Sequence, residues 1–127
     1  MKVEVSNGEI LDKLSILEIK LLKINDGNKI VNIINELEEL NPFYILLFET
    51  YGDVIKNLYL KLSKINYRLW EIEDSLRILE KNGSFEKDFV FLARSVYKIN
   101  DLRSKVKRKI NDITDSALVE EKSYETT

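Results

Sequence analysis

Cysteine and histidine are both missing from this chain of 127 residues. Their absence excludes thiolate and imidazole metal sites, thiol nucleophiles, disulfides and histidine-based proton transfer, leaving carboxylates, Lys, Arg, Tyr and hydroxyls as candidate actors. Proline occurs once and glycine four times, too few for a disordered or extended chain. Long apolar runs are lacking too, since the longest, Phe43 to Phe48, is far too short to span a bilayer. The opening Met1-Lys2-Val3-Glu4-Val5 does not have the charged-then-apolar layout of a secretory signal. Together these features predict a cytoplasmic protein with no membrane association. Neither sign of charge dominates, with 20 Lys and Arg against 22 Asp and Glu and a net charge of −2. Bulk attraction to nucleic acid is therefore not expected. The local basic stretch Lys105, Lys107, Arg108, Lys109 is accounted for by its place at the carboxyl end of a helix.

What is present is helical pattern almost throughout, in a composition 44% hydrophobic and 33% charged. Ser6 followed by Glu9 has the form of a capping box, predicting a helix from about Asn7 to about Asn25. Within it Ile10, Leu14, Leu17, Leu21 and Ile24 recur at spacings of four and three, the seam of a helix packed along its length. Asp26-Gly27-Asn28 breaks that helix. A shorter second one carries Ile30, Ile33, Leu37 and Leu40 on one face, stopped by Asn41-Pro42. The run Phe43 to Phe48 fits a short strand or a helical turn, and the helical surroundings favour helix. A long third helix runs through Leu58, Leu62, Ile65, Leu69, Ile72, Leu76 and Leu79 to Asn82-Gly83. Ser84 is expected to cap a fourth, with Glu86 in its first turn, whose seam passes from Phe85 through Phe89, Leu92, Val96 and Ile99 to Ile113. The expected architecture is all-α, a four-helix bundle-like domain over residues 1–116. In it a long antiparallel hairpin of the third and fourth helices is packed by an N-terminal helical hairpin. Residues 117–127 read as a polar C-terminal tail.

Two charges stand where these repeats call for apolar side chains. Arg103 interrupts the seam of the fourth helix, and Glu18 is ringed by Leu11, Leu14, Leu21 and Leu22 at helical offsets. Unpaired buried charge costs several kcal/mol or more, so the two are expected to face inward and pair. Beside the seams run polar stripes, Asn66, Trp70, Glu73, Arg77 and Glu80 on the third helix and Tyr97, Asn100, Ser104, Lys107 and Asn111 on the fourth. The expected inter-helix polar cluster comprises Glu18, Asn66, Glu73, Arg77, Tyr97, Asn100, Arg103 and Lys107. It either fixes the bundle or, through Arg103 and Lys107, holds a small anionic ligand. First-turn acids Glu9 and Asp12 are accounted for by capping and the helix dipole. Ile16 and Ile19, on the otherwise polar side of the first helix, suggest cover by a protein partner or a homodimer.

An alternative rests on acid pairs one helical turn apart, Glu36 with Glu39 and Glu71 with Asp74. Such pairs can hold Mg²⁺ against phosphates, and they resemble those of all-α nucleoside triphosphate pyrophosphatases, although Asn35 stands where that family has a further Glu. On that resemblance the chain would be a Mg²⁺-dependent phosphate-ester or nucleotide hydrolase; otherwise neither a metal nor a cofactor is expected. The blocks Gly8 to Lys20, Leu69 to Arg77 and Leu92 to Arg103, with Lys107 to Asn111 and Glu120 to Tyr124, resemble a family of short bacterial and viral proteins, roughly 130 residues long, catalogued as a domain of unknown function. The resemblance implies that Glu18, Glu73, Asp74, Arg94, Asn100 and Arg103 belong to a family pattern; it supplies no activity.

Overall fold

In the computed structural model, which describes residues 2–114, four helices follow one another: α1 (Asn7–Lys23), α2 (Gly27–Tyr51), α3 (Asp53–Lys81) and α4 (Lys87–Ile113). The Ser6 hydroxyl accepts from the Glu9 backbone N–H at 3.1 Å and starts α1 where the sequence predicts. Only half of the capping box forms, because the Glu9 carboxylate turns across to Lys107 instead. Asp26 both ends the α1 connection and caps α2, its carboxylate accepting from the N–H groups of Asn28 and Lys29 at 3.0 and 3.3 Å.

The second helix departs from expectation. Instead of stopping at Asn41-Pro42, α2 continues through Pro42 to Tyr51 and absorbs the run Phe43 to Phe48. A proline inside a helix removes one backbone bond and costs about 3 kcal/mol. Here Pro42 and Glu38, whose carbonyl loses its donor, are both exposed, so water can satisfy the orphan. Beyond Pro42, Leu47 is buried in the core and Tyr44 and Tyr51 pack partly buried against it, and one fully buried large side chain at about 1.5–3 kcal/mol with two partial burials offsets the penalty. Gly52, at φ 70°, ends α2 in a conformation that disfavours any side chain. The fourth helix starts later than expected, at Lys87 with Glu86 as its cap residue and no side-chain cap bond. Ser84 lies in the turn, where its N–H bonds the Leu79 carbonyl at 2.8 Å and closes α3.

The helices form two layers, the α1–α2 hairpin lying on the α3–α4 hairpin. Helices α3 and α4 share the largest interface, α1 touches all three others, and α2 touches α1 and α3 but not α4 among the described residues. Leu11 and Leu14 of α1, Leu47 of α2, Ile55, Leu58, Tyr59 and Leu62 of α3, and Val106 and Ile110 of α4 make one core. That core sits at the end of the long hairpin where α3 begins and α4 finishes. Towards the far end the seam residues Leu76, Leu79, Leu92, Val96 and Ile99 are only half-buried. Ile19, expected to need cover from another molecule, is buried within the chain, and Ile16 is half-buried. No helix among the described residues is long and apolar enough to cross a membrane.

Candidate functional site

The centre of the polar cluster is Asp12, a first-turns residue of α1 whose side chain is 1% exposed. Its Oδ1 accepts from Arg103 Nε at 2.8 Å and from Asn66 Nδ2 at 2.9 Å. Oδ2 accepts from Arg103 Nη2 at 2.5 Å and has Lys107 Nζ at 3.9 Å. The guanidinium thus grips both carboxylate oxygens, the fork geometry that makes Arg the strongest partner for a buried acid. Asn66 Nδ2 also donates to Ser15 Oγ at 2.7 Å, and that hydroxyl donates to the Asp12 carbonyl at 2.7 Å. At the rim Arg103 Nη1 donates to Asn100 Oδ1 at 3.3 Å, and Lys107 Nζ to Glu9 Oε2 at 2.8 Å.

Helical spacing produces this arrangement. Gly8, Asp12, Ser15 and Ile19 make a four-three-four stripe on α1, and Asn100, Arg103, Lys107 and Asn111 a three-four-four stripe on α4. The stripes run antiparallel, with Gly8 beside Asn111 and Asp12 beside Arg103. Gly8 N–H donates to Asn111 Oδ1 at 2.7 Å. A Cβ added at Gly8 would stand 2.5 Å from the Lys107 carbonyl oxygen, so the two backbones approach as closely as only glycine allows. Asn7 Nδ2 donates to Thr114 Oγ1 at 2.8 Å and finishes the α1–α4 contact. Asn111 Nδ2, although buried, meets no hydrogen-bond acceptor among the described residues.

Of the residues singled out from sequence, Asn66, Asn100, Arg103 and Lys107 meet here. Glu18 does not: it is exposed, and its carboxylate accepts from Tyr59 Oη rather than facing Arg103. The last turns of α1 project past their cover, leaving Leu21 and Leu22 exposed as well, so the ring of leucines around Glu18 does not mark an interior. Glu73 and Arg77 are also exposed; Arg77 pairs with Asp74 at 2.9 Å and lies 4.0 Å from Glu73. Tyr97 is exposed. Glu36 is engaged by Lys13 at 3.2 Å, while Glu39, Glu71 and Asp74 are exposed. Among the described residues no group of three or more acids comes together in a way that would hold a metal ion.

Sequence reasoning missed Asp12 and Ser15, and it named Asn111 in the polar stripe of the fourth helix without placing it in the cluster. Capping explained Asp12 too readily. The signal available was its place between Gly8 and Ser15, a small and polar stripe bordering the apolar one. Tyr59 lies outside this network, against Glu18. Burial, then the hydrogen bond to the Glu18 carboxylate and its negative charge, push the phenol well above its usual range. Burial and the same carboxylate also raise Tyr44. Tyr59 is accordingly a neutral donor at any physiological pH, not a base.

The fold and this network define a small all-α protein with buried polar contacts between two helical layers. The chain belongs to DUF6165, a family of unknown function, whose profile matches residues 1–127. No curated protein and no solved structure matches it.

Proposed function

We propose that the chain is a binding or interaction module of the cytoplasm, in which the polar cluster is a lock that fixes the helices and recognition falls to the outer helix faces. One observation carries this reading. Both oxygens of buried Asp12 are taken by side chains of the chain itself, from α3 and α4. A site for an anion would need cationic groups turned towards an opening, whereas Arg103 and Lys107 both turn to Asp12 or Glu9. The hollow at the far end of the hairpin, lined by Ser75, Ile78, Leu79, Asp88, Phe91 and Leu92, shares no residue with the lock. The cytoplasmic placement follows the lack of cysteine, which a small chain in an oxidising compartment ordinarily uses as a staple.

A thermal-shift screen with phosphate, nucleotides, sugar phosphates, small carboxylic acids and Mg²⁺ tests the reading. No compound is expected to raise the melting temperature of the wild-type chain. A rise with an anion that disappears in Arg103→Met would overturn the architectural role, since a ligand that binds only the native state must stabilise it.

A further inference from the structure

The net charge of −2 hides a partition between the two layers. Residues 2–52 carry five Lys against nine acids, whereas residues 53–114 carry fourteen Lys and Arg against nine acids. The excess on the second hairpin is drawn out along the outer side of α4. There Phe91, Arg94, Lys98, Leu102, Lys105 and Lys109, all exposed, follow one another at spacings of three, four, four, three and four. The outer side of α2 carries Val31, Ile34, Glu38, Pro42, Ile45 and Glu49, also all exposed and at the same spacings. Each row is about 27 Å long at 1.5 Å per residue. None of these charged side chains is held in an ion pair with another described residue.

Laid side by side in parallel, the rows match. Phe91 meets Val31, Lys98 meets Glu38, Leu102 meets Pro42 and Lys109 meets Glu49, with Arg94 and Lys105 flanking over Ile34 and Ile45. Reversed, Leu102 falls on Glu38 and Phe91 on Glu49. The match cannot be made within one chain, because α2 and α4 do not touch. From this matched spacing and opposite charge we infer that the α4 row is a docking surface for the α2 row of a second copy of this chain. This deepens, and rests on, the reading of the chain as an interaction module. A nucleic-acid strand fits the α4 row less well. Phe91 is 68% and Leu102 51% exposed between the cations, and they call for apolar cover that a phosphate backbone does not offer. Because the two rows differ and lie on the outward faces of helices that do not touch, the contact runs one way from copy to copy, closing into a ring or extending into larger assemblies.

Sedimentation velocity on the full chain over a range of concentrations provides the test, at about 0.1 M and about 1 M salt, where charge reaches roughly 10 Å and 3 Å. The wild-type chain is expected to associate at the lower salt and to dissociate at the higher. Lys98→Glu with Lys109→Glu, or Glu38→Lys with Glu49→Lys, should weaken association by about tenfold or more, each pair turning two attractions into repulsions. These positions are exposed, and circular dichroism should show both variants as helical as the parent. Mixed together, the two reversed chains should associate again, since the acidic α4 row of one meets the basic α2 row of the other. A monomer at every concentration, association that survives either reversal, or a mixture that stays apart would each overturn the proposal. So would tight binding of a single-stranded oligonucleotide competing through Lys98 and Lys109. None of these outcomes touches the lock, which the anion screen reads separately.

Discussion

Replacing Arg103 by Met leaves Asp12 in place with its strongest partner gone. Two charge-assisted bonds, at 2.8 and 2.5 Å, are lost from a carboxylate that is 1% exposed. Removing one member of a buried pair costs about 3–5 kcal/mol, because the other charge stays desolvated. Two features of the site place Arg103→Met at the lower end. The Arg103 side chain is itself 28% exposed, so water can follow the shorter Met. Lys107 Nζ already stands 3.9 Å from Oδ2 and can move up. Asn66 keeps its bond at 2.9 Å. A loss of about 3 kcal/mol is expected, which in urea moves the midpoint by about 1–3 M for a slope of about 1–3 kcal/mol/M.

The partner variant separates a pair from a mere contact. Asp12→Leu combined with Arg103→Met removes both charges and fills the space with apolar atoms, while Asn66 retains Ser15 Oγ as an acceptor. Replacing a buried pair in this way is neutral or stabilising by about 1–4 kcal/mol in comparable sites. The double variant should therefore regain most of what the single one loses. Equilibrium unfolding followed by circular dichroism, with the slope checked for change, decides it. A single variant within about 0.5 kcal/mol of the parent, or a double variant no better than the single, would refute the lock.

Three further substitutions probe other parts of the fold. Gly8→Ala places a Cβ 2.5 Å from the Lys107 carbonyl oxygen and 3.0 Å from Asn111 Oδ1; overpacking of about 1–3 kcal/mol should exceed the helix-propensity gain of under about 1 kcal/mol, and a thermal melt with no loss would contradict the close approach. Tyr59 has its pKa raised by burial and by Glu18, so its contribution is fully present below the unfolded value of about 10 and is lost as pH climbs above it, where the unfolded chain releases a proton that the native one retains. The urea midpoint of the parent should consequently fall between about pH 8 and pH 11 more steeply than that of Tyr59→Phe, with Tyr44 leaving a smaller residual slope; equal slopes would count against the buried phenol. Pro42→Ala restores a backbone donor inside α2 and should stabilise by about 1 kcal/mol, the helix gain of up to about 3 kcal/mol being reduced by the freer unfolded chain; destabilisation in the same assay would mean that the ring is needed.

Much of the fold is written in local pattern, and the parts that are not share a cause. The seams of α3 and α4 could be read because each keeps one face turned to a neighbour for most of its length, although at the far end, at Leu76, Leu79, Leu92, Val96 and Ile99, that face is only half-buried. The continuation of α2 through Pro42 could not, since it depends on where Tyr44, Leu47 and Tyr51 land in the assembled core. Arg103 was legible as a charge inside an apolar repeat. Its partner was assigned to Glu18 by the same logic, which fails near a helix end that projects past its cover. Asp12 offered no anomaly of that kind. An acid in the first turns of a helix has a sufficient local explanation, and only the presence of α4 alongside gives it a second one.

Gly8 and Asp12 act together on the register of α1, which helps to account for a polar lock where apolar packing could have held the helix. Leucines at spacings of three and four pack nearly as well after a slide of one turn, about 5.4 Å, as before it. Suppose α1 moves by one turn towards the end of α4. Asp12 then occupies the place of Gly8, where the Lys107 carbonyl oxygen leaves no room for a Cβ. Suppose it moves the other way. Gly8 then arrives opposite Arg103, and the guanidinium loses its carboxylate in a half-buried position. Either slide meets a steric or an electrostatic penalty that the apolar seam alone would not impose. Since α2 reaches the α3–α4 hairpin only through α1 and α3, the register of α1 also sets where the acidic row of α2 stands relative to the basic row of α4. A one-way contact repeated from copy to copy depends on that offset being the same in each. Arg103→Met, besides lowering stability, should therefore weaken self-association at temperatures where the chain remains folded, and association undiminished in that variant would show that the two layers keep their alignment without the lock.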